Sequence, residues 1–371
     1  MKICILTQPL HTNYGGILQA YALQTILNRR GHEVMTEDRR ENNSFINKLK
    51  RNNFIRSLFG KERICHIEDK DKKIIVHKIE HFIQTYIKTT PPIYSTNKRE
   101  LKKMFFEVFV VGSDQVWRPI YSPGLFNYFL DFTKGWNVKR IAYAASFGTD
   151  EWEFTVKQTA KCSELAKQFD AISVREDSGV GLCQTYLGVN PIHLLDPTML
   201  LEKQDYVNLV TAEKEAEHNG NIMAYFLDKN EMKDSITQLV CRERNGTCFY
   251  IMPEKQYSES SGIELSKCIY PSVTSWIKGF MDADYIVTDS FHGTVFSIIF
   301  NKPFLAIANK ERGVTRFSSL LKILGLEDRL IFSDKDLTKN LLIGNINFDR
   351  VNSIIKSEQA KAFMFLEKCL L

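Results

Sequence analysis

Short apolar runs alternate with amphipathic stretches along this chain, and this alternation constrains its fold more than any other feature. The first forty residues read as strand, helix and strand, in "KICIL", "ILQAYALQTILNRRG" and "HEVMTED". Further strand-like runs follow at "VFVVG", "KRIAYAAS", "AISV" and "IHLL". Parallel strands need crossover connections of this kind, and right-handed crossovers build a doubly wound sheet.

A second alternating series follows residue 221, with the strands "IMAYFL", "TCFYIM", "YIVTDS" and "PFLAIA" separated by helical patterns. The charged segment "TAEKEAEHNGN", at 211–221, is poor in apolar residues and is interpreted as the linker between the two series. We therefore predict an α/β fold of two Rossmann-like domains, 1–210 and 211–371, that face each other across a cleft. The last helix of the chain is expected to fold back and pack against the rest of the protein. A length of 371 residues suits two domains.

Basic residues are concentrated between positions 41 and 107, where 15 Lys and Arg stand against 8 Asp and Glu in a chain of net charge +5. Three-and-four spacing of apolar residues predicts a helical insertion in the N-terminal domain here. Apolar side chains among the basic ones leave open a peripheral contact with the inner face of the cell membrane. No nucleic-acid-binding motif accompanies the charge, so we predict no nucleic-acid partner.

The rest of the composition indicates a cytoplasmic protein. No apolar run reaches the ~20 residues that span a bilayer. The N-terminus lacks the small-residue cleavage site of a signal peptide, and the eight cysteines are scattered without a C-x-x-C pair. No metal-ligand cluster is visible, so we predict neither a metal nor a cofactor. The oligomeric state is left open.

Ligands of parallel α/β sheets bind beyond the carboxyl ends of the strands, so the residues after each strand are the candidate site. The first such stretch, "HTNYGG", contains Asn13, Tyr14, Gly15 and Gly16. Its glycines let the backbone approach a ligand, and the following helix would point free N–H groups at it. The alternative is a glycine turn that binds nothing.

Two further strands are followed by charged side chains. Asp114, in "VVGSDQVW", is interpreted either as an acceptor of hydrogen bonds from sugar hydroxyls or as the cap of a helix. Arg175, in "ISVREDSG", has a guanidinium that suits a carboxylate or phosphate bidentately. The alternative for Arg175 is a salt bridge to Glu176 or Asp177.

The stretch "TDSFHGT" places Asp289, Ser290 and His292 within four positions. A hydrolytic triad is disfavoured, because residues this close on one turn rarely make both triad contacts and the G-x-S-x-G elbow is missing. The stretch instead fits the start of a helix, with Ser290 or Asp289 as cap. A histidine there can bind an anion and transfer a proton. A histidine that is merely packed is the alternative.

"KERGVTRF" adds Lys310, Arg312 and Arg316 after the next strand, at the same edge of the predicted sheet as His292. Any one of these residues, considered alone, is best interpreted as a charged side chain exposed to solvent. Together they predict that this edge binds an anion.

These stretches together resemble the polysaccharide pyruvyl transferase family. The matching pieces are "NYGGILQAYAL", "VVGSDQVW", "RIAYAASFG", "SVREDSG", "LDPTML", "VTDSFHGTVFSIIFNKPF" and "RFSSLLKILGL". The resemblance implies a two-domain fold like that of the GT-B glycosyltransferases. It also implies phosphoenolpyruvate (PEP) as the donor co-substrate and a sugar of a cell-surface glycan as the acceptor, with lipid linkage of that sugar left open.

The resemblance also assigns roles to residues. The catalytic histidine falls on His292 and the arginine after the strand on Arg175, and Asp114 is the second candidate catalytic residue. Some family members have an arginine where this chain has Ser290. Ser290 is kept as a candidate substrate-binding residue, and Arg312 or Arg316 would take the place of the missing arginine. The N-terminal domain would be the acceptor side and the C-terminal domain the donor side. The two rival interpretations are a GT-B nucleotide-sugar glycosyltransferase and a non-catalytic glycan-binding module.

Overall fold

The chain folds around two parallel sheets that follow one another in sequence. The computed structural model describes residues 1–40, 69–94, 99–255, 257, 264–309 and 312–371. We call residues 1–213 the N-terminal half and residues 214–371 the C-terminal half.

Strands and helices alternate in both halves. The strands are β1 (Lys2–Leu6), β2 (Glu33–Thr36), β3 (Arg39–Arg40), β4 (Ile93–Tyr94), β5 (Val108–Val111), β6 (Lys139–Ala145), β7 (Ala171–Val174), β8 (Ile192–His193), β9 (Ile222–Tyr225), β10 (Cys248–Tyr250), β11 (Tyr285–Thr288), β12 (Phe304–Ile307) and β13 (Leu330–Ile331). The helices are α1 (Tyr14–Arg29), α2 (Asp69–Tyr86), α3 (Arg99–Lys103), α4 (Val156–Ala166), α5 (Asp177–Leu182), α6 (Lys203–Glu213), α7 (Glu231–Glu243), α8 (Val273–Asp282), α9 (Phe291–Ile299), α10 (Thr315–Leu324), α11 (Lys339–Ile343) and α12 (Phe348–Leu370).

Both sheets are parallel throughout. The N-terminal sheet has the order β2-β1-β5-β6-β7-β8 and the C-terminal sheet the order β10-β9-β11-β12-β13. The order reverses at β1 in one sheet and at β9 in the other, and such switch points are where α/β sheets bind ligands. The predicted α/β fold with two Rossmann-like units is therefore confirmed.

Continuous apolar runs explain why these strands are central. The strands β5, β9, β11 and β12 are buried at every position, with the sequences "VFVV", "IMAY", "YIVT" and "FLAI". Strands of a parallel sheet are covered by helices on both faces, so they need apolar residues at successive positions rather than at alternating ones.

The predicted linker begins later than its sequence suggests. Helix α6 continues to Glu213, and Lys214 follows in the left-handed conformation with φ 53°. The helix starts with a capping box formed by Glu202 and Asp205, which favours helix over loop in this charged stretch. Residues 211–213 are therefore helical, and the domain boundary at 210/211 stays a prediction.

The basic segment 41–107 is only partly helical in its described residues, while 41–68 and 95–98 lie outside them. Helix α2 is formed as predicted, and it buries Ile75, Ile79 and Phe82. After the Pro91–Pro92 break, β4 pairs with β3 in parallel, and Thr89 bridges Thr36 at the end of β2. The segment therefore adds one isolated bridge to the edge of the N-terminal sheet and one strand to a separate two-stranded sheet. Proline disfavours helix in the residue before it, which suits an extended chain after α2 has ended at Tyr86.

The last helix, α12, runs from the C-terminal half onto the N-terminal half. Gln359 Nε2 donates to the Met199 carbonyl at 2.7 Å, and the rings of Phe365 and Tyr143 lie 6.2 Å apart. None of the described helices is long and apolar enough to cross a lipid bilayer.

Candidate active site

Two helix N-termini meet between the halves, each capped by the side chain that precedes it. Helix α1 begins after Asn13, whose Oδ1 accepts a hydrogen bond from the Gly16 N–H at 3.1 Å. Helix α9 begins after Ser290, whose hydroxyl accepts one from the Gly293 N–H at 3.3 Å. Asn and Ser are favoured here because they satisfy N–H groups that have no partner within the helix. Ser290 therefore serves as a helix cap, which sequence analysis considered together with a binding role.

His292, in the first turn of α9, lies directly against the backbone of α1. A Cβ placed on Gly15 would overlap the imidazole ring of His292, with Nδ1 as its nearest atom. Only glycine leaves room for this approach, which explains the residue type at position 15. The contact joins the two halves at the predicted site.

The substitution Gly15→Ala is expected to destabilise the protein. The added methyl group must displace His292 or separate the halves, and overpacking of this kind costs about 1–3 kcal/mol of unfolding free energy. Gly181→Ala is the control, because a Cβ on Gly181 in α5 meets nothing within 4 Å. Denaturant unfolding of both variants measures the difference. If Gly15→Ala is as stable as Gly181→Ala, the close approach of α1 to His292 is wrong.

A buried aspartate, Asp196, connects the residues that sequence analysis singled out separately. Its Oδ2 accepts hydrogen bonds from Arg175 Nη1 at 2.8 Å and from the Ser113 hydroxyl at 2.9 Å, and it lies 3.5 Å from His292 Nε2. Burial opposes ionisation of this carboxyl, but His292 and Arg175 outweigh burial and hold its pKa well below its usual range. Asp196 is therefore an ionised carboxylate shared by an arginine and a histidine.

Two arginines pack on the ring of Phe291, next to His292. The guanidinium carbon of Arg175 lies 4.9 Å from the ring centre and that of Arg316 lies 5.6 Å from it. Both arginines are buried, and Arg316 forms no ion pair with any described residue. Burial and the neighbouring charge of Arg175 lower the pKa of Arg316 to about 10. An anion bound between the two guanidinium groups would offset their mutual repulsion and stabilise the charged form of Arg316.

Several buried polar atoms around this ring have no hydrogen-bond partner among the described residues. They are Arg175 Nε and Nη2, Arg316 Nε, Glu176 Oε2 and His292 Nε2. Buried polar groups are normally paired, so such a cluster calls for an explanation. Three of the five atoms are guanidinium nitrogens, which donate and cannot accept. The cluster therefore fits an anionic ligand.

The salt-bridge alternative for Arg175 is partly right. Its Nε lies 3.8 Å from Glu176 Oε1, too far for a hydrogen bond, and the main partner of Arg175 is Asp196. Glu176 is itself fully buried and accepts a hydrogen bond from the Ser146 hydroxyl. One edge of the Arg175 guanidinium stays without a hydrogen bond.

Asp114 lies at the end of β5 in a strained backbone conformation, with φ 88°. Its Oδ2 is 3.4 Å from Asn13 Nδ2, and a Cβ on Gly16 would lie 3.1 Å from the same oxygen. No helix begins at Asp114, so the cap alternative is excluded. A residue other than glycine at positive φ is costly and often marks a functional site.

The comparison with known families assigns this chain. The profile of the polysaccharide pyruvyl transferase family matches residues 13–311. The chain belongs to the polysaccharide pyruvyl transferase family. The matched part of the chain includes Asn13, Asp114, Arg175, Asp196 and His292. No curated protein sequence matches the chain.

Solved structures show the same fold at low sequence identity. UGT89C1 of Arabidopsis thaliana has a TM-score of 0.52 and 9% identity, covering 99% of each chain. A UDP-N-acetylglucosamine 2-epimerase of Listeria monocytogenes has a TM-score of 0.50 and 9% identity, covering 99% of this chain and 95% of its own. The chain therefore has the GT-B architecture of glycosyltransferases and epimerases.

Other predicted site residues contact groups outside the buried cluster. Arg312 forms a bidentate pair with Asp228, at 2.6 and 2.9 Å, and the pair is about half exposed. Tyr14 donates to the Pro271 carbonyl at 2.8 Å and stacks on Trp276. Of the two arginines proposed to replace the one missing at position 290, Arg316 therefore reaches the buried cluster and Arg312 does not. Lys310 lies outside the described residues.

The candidate site contains residues that sequence analysis did not select. Asp196, Glu176, Ser113 and Phe291 all contact Arg175. Asp196 carried a signal, since it follows a strand and precedes proline in "LDPTML". No group of three or more His, Cys, Asp or Glu side chains is placed to hold a metal ion in the described part of the chain.

Proposed function

We propose that this chain transfers the enolpyruvyl group of PEP onto two hydroxyls of a sugar in a cell-surface polysaccharide precursor. The observation that carries the proposal is the set of unpartnered guanidinium nitrogens on Arg175 and Arg316, buried beside His292. PEP has a carboxylate and a phosphate, and arginines bind both groups bidentately. Membership of the pyruvyl transferase family supports the same reaction.

The reaction balances without a cofactor. Two sugar hydroxyl oxygens bond to C2 of PEP, the C2–O bond to phosphate breaks, and the double bond between C2 and C3 is lost. The two hydroxyls lose two protons. One of them balances the proton that C3 gains as it becomes a methyl group, and the second leaves with phosphate. The products are a pyruvate ketal and inorganic phosphate.

Each residue of the site has a proposed part in this reaction. His292 delivers the proton to C3 as general acid. Arg175 and Arg316 bind the anionic ends of PEP, with the N-termini of α1 and α9 adding favourable dipoles. Asp114 accepts a hydrogen bond from an acceptor hydroxyl.

The deciding experiment is incubation of the protein with PEP and a panel of acceptor sugars, free and lipid-linked. We expect phosphate release together with an acceptor mass gain equal to PEP minus phosphoric acid. Turnover of only the lipid-linked sugars would support an acceptor at the inner face of the cell membrane. Absence of phosphate release across the whole panel would contradict the proposed function.

A nucleotide-sugar glycosyltransferase is the second candidate, because the fold is similar to that of UGT89C1. The two candidates differ in the ligand that stabilises the protein. A donor at 100 times its dissociation constant adds about 2.7 kcal/mol to the unfolding free energy. Thermal stabilisation by UDP-sugars and not by PEP would favour the glycosyltransferase.

A further inference from the structure

The carboxylate of Asp196 lies where the two halves meet, between an arginine of one half and the histidine of the other. We propose that Asp196 is a positioning residue that sets the orientation of both Arg175 and His292 for the reaction. This inference rests on the proposed function and adds a residue to which no role has been assigned. The contacts on each side of the carboxylate support this role.

On the arginine side, Asp196 selects which edge of the guanidinium is available. Nη1 of Arg175 donates to Asp196 Oδ2 at 2.8 Å and to the Ser113 hydroxyl at 3.1 Å. The Nε and Nη2 atoms have no hydrogen-bond partner among the described residues. These two nitrogens form one edge of the planar guanidinium, and such an edge matches a carboxylate or phosphate bidentately. Asp196 therefore holds that edge toward the anion site.

On the histidine side, Asp196 faces the Nε2 atom of the imidazole ring. The backbone of Gly15 packs against Nδ1, whereas Nε2 is buried, unpartnered and 3.5 Å from Asp196 Oδ2. This contact holds Nε2 opposite the carboxylate while Gly15 lies against Nδ1, so the orientation of the imidazole ring is set from both sides. A positioned general acid depends on a fixed orientation of this kind.

The carboxylate itself is held rigidly. Its Oδ1 accepts hydrogen bonds from the Thr198 N–H at 3.0 Å and from the Thr198 hydroxyl at 2.7 Å. The Thr198 carbonyl in turn accepts from the buried Tyr206 hydroxyl at 2.8 Å. With Oδ1 fixed in this way, Oδ2 keeps one direction toward Arg175 and His292. A supporting shell of this kind is what precise placement of reactive groups requires.

The first test is a double-mutant cycle on turnover. We expect Asp196→Asn to lower kcat about 10²-fold in the otherwise unchanged protein, within the range for a positioned proton donor. In the His292→Asn background the same substitution should lower kcat by no more than about threefold, because residues that act as a unit are not additive. Equal losses in the two backgrounds would overturn the inference.

The matched control uses another aspartate that holds a histidine. Asp282 Oδ2 accepts from His218 Nδ1 at 3.0 Å, in a pair that makes no contact with the site. Asp282→Asn should leave kcat and the KM for PEP near their original values. A loss of kcat as large as that of Asp196→Asn would mean that removing any such carboxylate has this effect, and would also overturn the inference.

Calorimetry with PEP tests the arginine side without turnover. Asp196→Asn should weaken PEP binding about tenfold, because the free edge of Arg175 loses its fixed direction. Unchanged PEP affinity would overturn the proposed effect of Asp196 on Arg175. If the original protein binds PEP but releases no phosphate with any acceptor, the proposed function fails while the binding test of Asp196 still stands.

If Asp196→Asn does not fold, a milder pair of variants at Thr198 tests the positioning role. Thr198→Val keeps the side-chain volume but removes the hydroxyl that holds Oδ1, whereas Thr198→Ser keeps the hydroxyl. We expect kcat/KM to be about fivefold lower in the valine variant than in the serine variant, because one of two hydrogen bonds to Oδ1 is lost. Equal values in the two variants would overturn the positioning role.

Discussion

Replacement of Arg316 by methionine should leave the ligand-free protein as stable as before, or more stable, and should remove most of its affinity for PEP. Arg316 is buried beside the charge of Arg175, and its pKa is lowered to about 10. Removing an unpaired buried charge relieves desolvation and repulsion, and we expect a gain of roughly 1 kcal/mol in unfolding free energy. PEP binding should weaken by about 2–4 kcal/mol.

Arg175→Met is the contrasting variant. It leaves Asp196 buried without its main partner, so unfolding free energy should fall by about 3–5 kcal/mol. Arg312→Met is the control, because its half-exposed pair with Asp228 contributes only about 0–1 kcal/mol. Denaturant unfolding and calorimetry with PEP measure all three. An Arg316→Met variant that is destabilised as much as Arg175→Met, or that still binds PEP normally, would contradict the proposed anion site.

The substitution His292→Asn should lower turnover by ~10²–10⁴, the usual contribution of a positioned proton donor. Asparagine keeps a similar shape and one hydrogen-bond donor, so PEP affinity should be largely retained. In deuterated water the ketal methyl of the product should carry one deuterium, because pyruvyl transfer forms a new C–H bond and glycosyl transfer forms none. Mass spectrometry counts the deuterium, and single-turnover kinetics measures the chemical step.

Two outcomes would change this interpretation of His292. Turnover near the original rate in the asparagine variant would remove His292 as the acid. Loss of PEP binding with an unchanged chemical step would instead make the histidine a donor-binding residue. Gly181→Ala, in a region with open space around the added methyl group, serves as a control for preparation and assay.

The fold was predictable because each central strand is a continuous apolar run between helical patterns. Runs such as "VFVV" and "YIVT" are short and rich in β-branched or aromatic residues, which suits a parallel strand that helices cover on both faces. The two-residue strands β4 and β13 were not predicted, since two residues have no measurable period. The exact end of α6 was also missed, because the charged composition of 211–221 suggests a linker, whereas the helix that starts at the Glu202–Asp205 capping box continues to Glu213.

The location of the site could be predicted from the sequence, whereas its side-chain contacts could be predicted only in part. Ligands of parallel sheets bind beyond the carboxyl ends of the strands, so Arg175 of one domain and His292 of the other were both expected to line the cleft between the domains. The carboxylate that joins them, Asp196, contacts Ser113 and His292, which are distant in the chain, and such pairings depend on tertiary packing. The choice of Arg316 over Arg312 likewise depends on which side chain finds a partner outside the site, here Asp228.

The path of helix α12 limits how the two halves can move. The chain crosses between the halves after α6, and α12 connects them a second time through Gln359 and Phe365. A single linker would tether the C-terminal half at one end only, whereas α12 also tethers its other end to the N-terminal half. Arg175 and Arg316 belong to different halves, so the distance between their guanidinium groups is restrained from both ends of the C-terminal half.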